Sequence, residues 1–203
     1  MLSNDNSNMA FNDFENMPYI PYAIVEDILT DTSTNCENLW KLLKYNTSRP
    51  LEMNNLTLKE KREMIWRGEE EQNKHSVFFK PLISDSMTDS EQMTQMRIYR
   101  TVTEPTNQYS SLVLIKIELI TNETTCLVRT NGKIAERTDL LESYLLNYLN
   151  GRDISLGSGV LTFDRTMSRS CNSQLNISNS KSFFGRTITL ALRYSNAKTG
   201  GAC

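Results

Sequence analysis

The chain has 203 residues, of which 38% are hydrophobic and 23% charged, so it can form one folded domain and is too apolar to be disordered throughout. Its net charge of −2 excludes nucleic-acid binding that is driven by the charge of the whole chain. No apolar run approaches the roughly 20 residues of a membrane span. The polar start, Met1–Asn8, lacks the basic residues of a signal peptide. We therefore expect no membrane contact and a protein that remains in the cytoplasm where it is made.

The sequence divides into three parts. Residues 1–17 are rich in Asn and Ser and predict a disordered or extended arm. Residues 18–196 carry the hydrophobic periodicity of a single domain. Residues 197–203, which end in Gly-Gly-Ala-Cys, predict a flexible tail.

Helices dominate the first third of the domain. A capping box, in which a Thr hydroxyl and a Glu three residues later each accept a backbone N–H, marks a helix start. Three such patterns occur, at Thr34–Glu37, Thr57–Glu60 and Thr88–Glu91. Together with apolar spacing and stop signals, they predict helices at about 22–31, 35–45 and 57–67, and a short helical turn after residue 88.

Strands follow. The strongest is Leu112–Thr121, in which the residues of one face are all apolar and the other face carries Lys116 and Glu118. The apolar face consists of Val113, Ile115, Ile117 and Leu119. Weaker strand patterns lie at 77–83, 96–102, 126–129, 161–167 and 188–194.

A further helix is predicted at 134–149, where Ile134, Leu141, Leu145 and Tyr148 share a stripe and Asn150-Gly151 provides the stop. We expect this stripe to pack on the apolar face of the strongest strand. Between the last two strands lie 18 almost wholly polar residues, Ser168–Gly185. The order of elements predicts an α+β fold: a mostly antiparallel sheet with helices packed on one face, an N-terminal helical segment and a long polar loop between the last two strands.

Residues that could perform chemistry are sparse. The single histidine, His75, lies in a Glu-rich stretch with no recognisable nucleophile or orienting acid, which favours a solvated loop residue. The four cysteines lie far apart in the sequence, which favours free thiols over zinc ligands. Lys116 and Glu118 on one strand face are too little to indicate a nuclease. We therefore expect no catalytic residue, no cofactor and no metal.

The charges are distributed unevenly along the chain. Residues 1–40 hold seven acidic residues and no basic one, whereas residues 165–203 hold six basic residues and no acidic one. Opposite charges at the two ends favour assembly in which one copy meets another or an adjacent protein. The candidate interface residues are Arg165, Arg169, Lys181 and Arg186, with the acidic run Glu69, Glu70 and Glu71. Contact of the basic residues with DNA phosphates, or a merely solvated loop, are the alternatives.

Several segments, in a fixed order, carry a resemblance to a known group of proteins. They are NCENLWKLLKY (35–45), NLTLKEKREMI (55–65), SMTDSEQMTQMRIYR (86–100) and ERTDLLESYLLNYLNGRDISLGSGVLTF (136–163). In this order they resemble the head–tail connector, tail-completion and tail-terminator proteins of tailed bacteriophages, over roughly residues 20–194.

The resemblance implies a structural subunit of the virion, assembled in the bacterial host. Such proteins form rings, with twelve copies favoured here over six, that join the portal or head to the tail. Double-stranded DNA passes through their channel without sequence-specific contact. Two other hypotheses stay open: a nucleic-acid-binding accessory protein that uses the basic C-terminal region, and an enzyme with an unrecognised site.

Overall fold

The computed structural model describes residues 17–68, 74–81, 93–107, 110–154, 159–163, 169–171 and 183–195. The predicted arm, apart from its last residue, the tail, and the capping box at Thr88–Glu91 lie outside these residues. The same holds for most of the polar segment 168–185.

Four α-helices form the helical layer. Their bounds are α1 Ile20–Thr30, α2 Thr34–Lys44, α3 Leu58–Glu63 and α4 Arg137–Leu149. Short 3-10 turns lie at Met17–Tyr19, Pro50–Glu52 and Glu123–Thr125. The four helices correspond to the predicted ones, but α3 ends four residues before the predicted end and α4 begins three residues after the predicted start.

One capping box is confirmed and one is wrong. At the start of α3, the Thr57 hydroxyl accepts from the Glu60 backbone N–H while the Glu60 carboxylate accepts from the Thr57 backbone N–H. At the start of α2 the N-cap is Ser33, so Thr34 is already helical. Glu37 is free of that capping role and forms a buried ion pair with Lys61 of α3.

The main sheet is mostly antiparallel, as predicted. Its strands are β1 Val77–Phe78, β2 Thr94–Asn107, β3 Ser110–Asn122, β6 Leu161–Thr162, β7 Arg169–Cys171 and β8 Phe183–Ser195. The order is β1-β2-β3-β8-β6, with β7 also pairing with β8 and only β1 running parallel to its neighbour. The long strands β2, β3 and β8 form its centre. β4 Leu127–Thr130 and β5 Lys133–Glu136 form a separate hairpin.

The core lies between one face of this sheet and the helices. Val113, Ile115, Ile117 and Leu119 of β3 are fully buried, and they share one hydrophobic cluster with the stripe of α4. The predicted packing of the 134–149 stripe on this strand is therefore confirmed for Leu141, Leu145 and Tyr148.

Two expectations for the second half of the chain are corrected. Ile134 belongs to β5 rather than to a helix, because Asn131 and Gly132 both have positive φ and turn the chain back into the β4–β5 hairpin. The segment Ser168–Gly185 is not a continuous loop. Arg169–Cys171 pair with residues 187–189 of β8, and residues 183–185 already belong to β8.

Candidate partner-binding surfaces

Three adjacent depressions share lining residues, and together we call them the α1–β1 groove. It is lined by α1, α3, the segments 65–68 and 79–81, and residues 99–101 of β2. The depressions measure about 730, 480 and 660 Å³. The first two share Ile65 and Arg67, while the second and third share Tyr22, Phe79 and Lys80.

Cations outnumber acids along this groove. Five basic side chains and two acidic ones line it: Lys59, Arg62, Arg67, Lys80 and Arg100, with Glu26 and Glu63. Lys59 lies 3.9 Å from Glu63, and Lys80 lies 4.1 Å from the centre of the Trp66 ring. Arg67 and Arg100 are exposed and form no ion pair with another described residue. The groove thus has an excess of positive charge that an anionic partner could neutralise.

Aromatic rings line the same groove. Tyr22 and Phe79 contact each other with ring centroids 5.8 Å apart, and Trp66 lies beside them. Tyr22 is 50% exposed. A hydrogen bond to Glu26 raises the pKa of Tyr22 above its ordinary value. Exposed aromatics that are surrounded by cations are typical of a protein-binding surface.

The groove reaches the outer edge of β2. β1 pairs with β2 only at Met96 and Arg97, so beyond this point no described strand covers that edge. Thr101–Thr106 are exposed, and Pro105 interrupts the row of backbone donors. An exposed strand edge offers backbone N–H and C=O groups to another chain.

A second apolar surface lies on the β4–β5 hairpin. Leu127 is 56% exposed and Ile134 is 64% exposed. The register pairs Leu127 with Glu136 and Arg129 with Ile134, so both aliphatic side chains lie on the same face of the hairpin. Two large aliphatic side chains exposed on one face of so small an element, in diagonal positions, are a candidate contact for another protein.

Of the interface residues predicted from sequence, only Arg186 has a described side chain. Its guanidinium forms ion pairs with Asp139 and Glu142, so it fastens α4 to β8 within the subunit. Arg169 lies in β7, and only its backbone is described. Arg165, Lys181 and the run 69–71 lie outside the described residues. Their proposed contacts therefore stay predictions.

His75 is not the solvated residue that the sequence suggested. It is 5% exposed, and its Nδ1 lies 3.0 Å from the carbonyl oxygen of Glu63 at the end of α3. The burial follows because Ser76 and Val77 bond the backbone of Met64, which draws this segment against the helix. His75 also lines one end of the α1–β1 groove.

A buried polar cluster lies on the sheet face away from the helices. Arg97 donates to the Gln95 side chain at 3.0 and 2.8 Å and lies 4.4 Å from the Phe78 ring, and burial lowers its pKa to about 10. The Tyr99 hydroxyl donates to Glu118 at 2.6 Å, and Lys116 lies 3.5 Å from Glu118. Burial, with this bond, raises the pKa of Tyr99. Each polar group here has a partner, which favours a structural role for the cluster.

The described residues thus define an α+β domain with an open cationic groove and an exposed aliphatic hairpin. None of its described helices has the length and apolar character needed to span a bilayer. In the same part of the chain no group of three or more His, Cys, Asp or Glu is arranged to hold a metal ion.

The sequence places this domain in a family. The family model YomW matches residues 37–192, which is most of the chain, and the protein belongs to the YomW family. This family derives from phage genomes, which is consistent with a phage protein. No curated protein and no solved structure matches the chain.

Proposed function

We propose that this protein is a non-enzymatic structural subunit of the neck or tail of a tailed phage particle. It forms a ring around the DNA channel and joins the portal or head to the tail. The phage origin of the YomW family supports the setting. The resemblance of its segments to connector and tail-completion proteins supports the role.

One observation carries this proposal: a single small domain exposes two separate surfaces suited to protein partners. One is the cationic, aromatic α1–β1 groove, and the other is the aliphatic pair Leu127 and Ile134 on the β4–β5 hairpin. A ring subunit contacts a neighbour on each side through two different patches, because a head-to-tail ring is built from heterologous interfaces. It also contacts the proteins above and below it.

The buried polar groups of the described residues support a structural role over a catalytic one. Arg137 is fully buried and donates to four backbone carbonyls, and Arg97 is held by Gln95, the Pro81 carbonyl and the Phe78 ring. These contacts lock elements together. His75, the buried base that lines one end of the groove, is held by the Glu63 carbonyl oxygen 3.0 Å from its Nδ1. We therefore place the function on the surface of the domain.

The proposal includes the assembly that the resemblance implies. The protein is a homo-oligomer, with a twelvefold ring favoured over a sixfold one, that binds portal, connector or tail proteins in the virion. DNA passes its channel without base-specific contact. The excess of acidic over basic residues in the whole chain is compatible with such a channel, because each phosphate contact would add affinity and slow the passage of DNA.

A nonsense mutation in this gene tests the proposal in the phage that carries it. Electron microscopy of the lysate should show DNA-filled heads and tails that are not joined, or tails of defective length. Supplying the protein from a plasmid should restore infectious particles. Normal particles and a normal titre without the protein would contradict a structural role.

Variants of the hairpin test whether assembly uses this surface. Leu127→Asp combined with Ile134→Asp should leave the domain folded, because both side chains are largely exposed, but should fail to restore particles. Thr130→Asp combined with Lys133→Asp, on the same two strands, is the control and should restore them. Equal complementation by both double variants would exclude the hairpin as an interface.

A further inference from the structure

We propose that the α1–β1 groove is the docking site for the acidic N-terminal arm, residues 1–16, of a second copy of this chain. The inference rests on the proposed function, since it names the contact by which one ring subunit binds the next. Four observations carry it: the charges of the groove and arm, their apolar side chains, the position of the groove and the pairing of the other N-terminal acids.

The charges of groove and arm are complementary. The groove has three more cations than acids, and Arg67 and Arg100 lie exposed on it without an ion pair to another described residue. The arm carries Asp5, Asp13 and Glu15 and no basic residue. Complementary charges of this kind steer association and fix which surfaces meet.

Four acids follow the arm within residues 1–40, and they have partners within the subunit. Glu26 lies in the groove and accepts a hydrogen bond from Tyr22. Asp27 and Asp31 both pair with Arg152, and Glu37 pairs with Lys61. These ion pairs hold α1 and α2 in place within the subunit. The acidic character of the N-terminal region that remains for an external partner is concentrated in the arm.

The apolar residues also match. The arm contains Phe11 and Phe14, close to its acidic residues Asp13 and Glu15. In the groove, three aromatic residues are each followed directly by a cation: Trp66-Arg67, Phe79-Lys80 and Tyr99-Arg100. Rings and cations on one side suit rings and carboxylates on the other, because aromatic anchors supply contact area and the charges favour one orientation.

The position of the groove makes exchange between copies possible. The arm joins the domain at Met17, and the next residue, Pro18, already lines the groove beside Lys80 and Arg100. Each arm therefore leaves its own subunit at the rim of a groove. A stretch of 16 residues spans up to roughly 55 Å when extended, which is enough to reach the groove of an adjacent subunit.

Charge reversal on the full-length chain tests the contact. The arm variant is Asp13→Lys with Glu15→Lys, and the groove variant is Arg67→Glu with Arg100→Glu. Each variant alone places like charges opposite one another, so self-association measured by sedimentation velocity should weaken at least about tenfold relative to wild type. Mixing the two variants in equal amounts should restore association, because each arm then meets a groove of opposite charge.

Controls separate this contact from loss of fold and from net-charge effects. Lys44→Glu with Arg193→Glu, at two exposed cations outside both the groove and the hairpin, changes the charge by the same amount as the groove variant and should associate through its arm like wild type. Circular dichroism and thermal unfolding should show all variants folded, since the altered groove residues are exposed.

The outcomes of this experiment distinguish between the possible occupants of the groove. Restoration in the mixture supports the arm of a second copy. A chain carrying all four substitutions that behaves like wild type, together with no restoration in the mixture, would show that each arm occupies its own groove and would overturn the proposal. Unchanged association of both single-surface variants, or a wild-type chain that stays monomeric, would also overturn it.

A different occupant would be revealed by a nucleic-acid probe. If the groove variant loses binding to a single-stranded oligonucleotide and its self-association is unchanged, the groove is a nucleic-acid site. Failure of the arm contact leaves the ring proposal open to its own test, because the nonsense mutant reports on particle assembly whichever surfaces join the subunits.

Discussion

Replacing Arg137 by Met should destabilise the domain strongly, although the residue lies in neither candidate surface and makes no described ion pair. Arg137 is fully buried at the first position of α4. Its Nε donates to the Thr125 carbonyl at 2.7 Å, and its two terminal nitrogens donate to the carbonyls of Leu42, Tyr45 and Thr47 at 2.7, 3.0 and 2.7 Å.

The magnitude follows from the burial of these carbonyls. The bonds to Leu42 and Thr125 are buried, and a buried carbonyl left without a donor costs about 1–3 kcal/mol. Those to Tyr45 and Thr47 are only part-buried, so water can replace much of what is lost. Removing a guanidinium whose pKa is lowered to about 10 by burial recovers some desolvation energy. The net loss should be about 2–4 kcal/mol, a large fraction of the roughly 5–15 kcal/mol that stabilises a domain.

Urea unfolding followed by circular dichroism measures this loss. The midpoint should fall without a change in slope, since the same surface is exposed on unfolding. Arg49→Met is the control: Arg49 is exposed and pairs only at the surface with Glu52, so it should cost less than about 1 kcal/mol. If Arg137→Met unfolds within about 1 kcal/mol of wild type, the carbonyl contacts do not join the end of α2 to the start of α4 in the way described.

Three further predictions concern the packing of α4 and the buried thiol. Leu145→Ala should cost about 2–5 kcal/mol in the same assay, because Leu145 is buried against the sheet, and an unchanged midpoint would contradict this. Glu142→Gln, next to the mostly buried Arg186, should destabilise the domain more than Asp139→Asn, which removes the more exposed of the two pairs, and the reverse order would be inconsistent with the geometry. Burial raises the pKa of the Cys36 thiol from 9.0 to about 11, so the folded state holds the proton longer than the unfolded state does. The stabilisation that this thiol contributes should therefore be fully present below pH 9 and be lost between pH 9 and 11. In that range the free energy of unfolding of Cys36→Ala should fall less steeply than that of wild type, by up to about 1.4 kcal/mol per pH unit.

The central strands and α4 were predictable because their patterns are long and regular. Four alternate residues of β3 are apolar, so one face must be buried whatever packs on it. The start of α4 was not predictable from the same reasoning, since Ile134 fits both a helical stripe and a strand. The turn at Asn131-Gly132 decided the matter, because positive φ at both residues suits a two-residue hairpin.

Burial of polar residues could not be read from local pattern. His75 lies in a polar stretch, and its burial depends on the pairing of the next two residues with Met64 at the end of α3. Arg137 likewise donates hydrogen bonds to the carbonyls of residues about 90 positions earlier in the chain. Both effects arise from tertiary contacts, which hydrophobic periodicity does not reveal.

The α1–β1 groove was missed because its lining comes from four separated parts of the sequence. The signal that could have found it is the aromatic residue followed by a cation, repeated at Trp66-Arg67, Phe79-Lys80 and Tyr99-Arg100. Such pairs are too short to indicate a site individually. Only the pairing of β1 with β2 and the packing of α1 and α3 bring them to one surface.

The copy number of this protein in purified phage particles tests the central claim most directly. Quantitative mass spectrometry against isotope-labelled peptides, with the portal protein as internal standard, measures that number. A ring subunit should be present at a fixed ratio to the portal protein that corresponds to one closed ring, with twelve copies favoured over six. Absence from intact particles, while the protein is abundant in the infected cell, would contradict a structural role in the neck or tail.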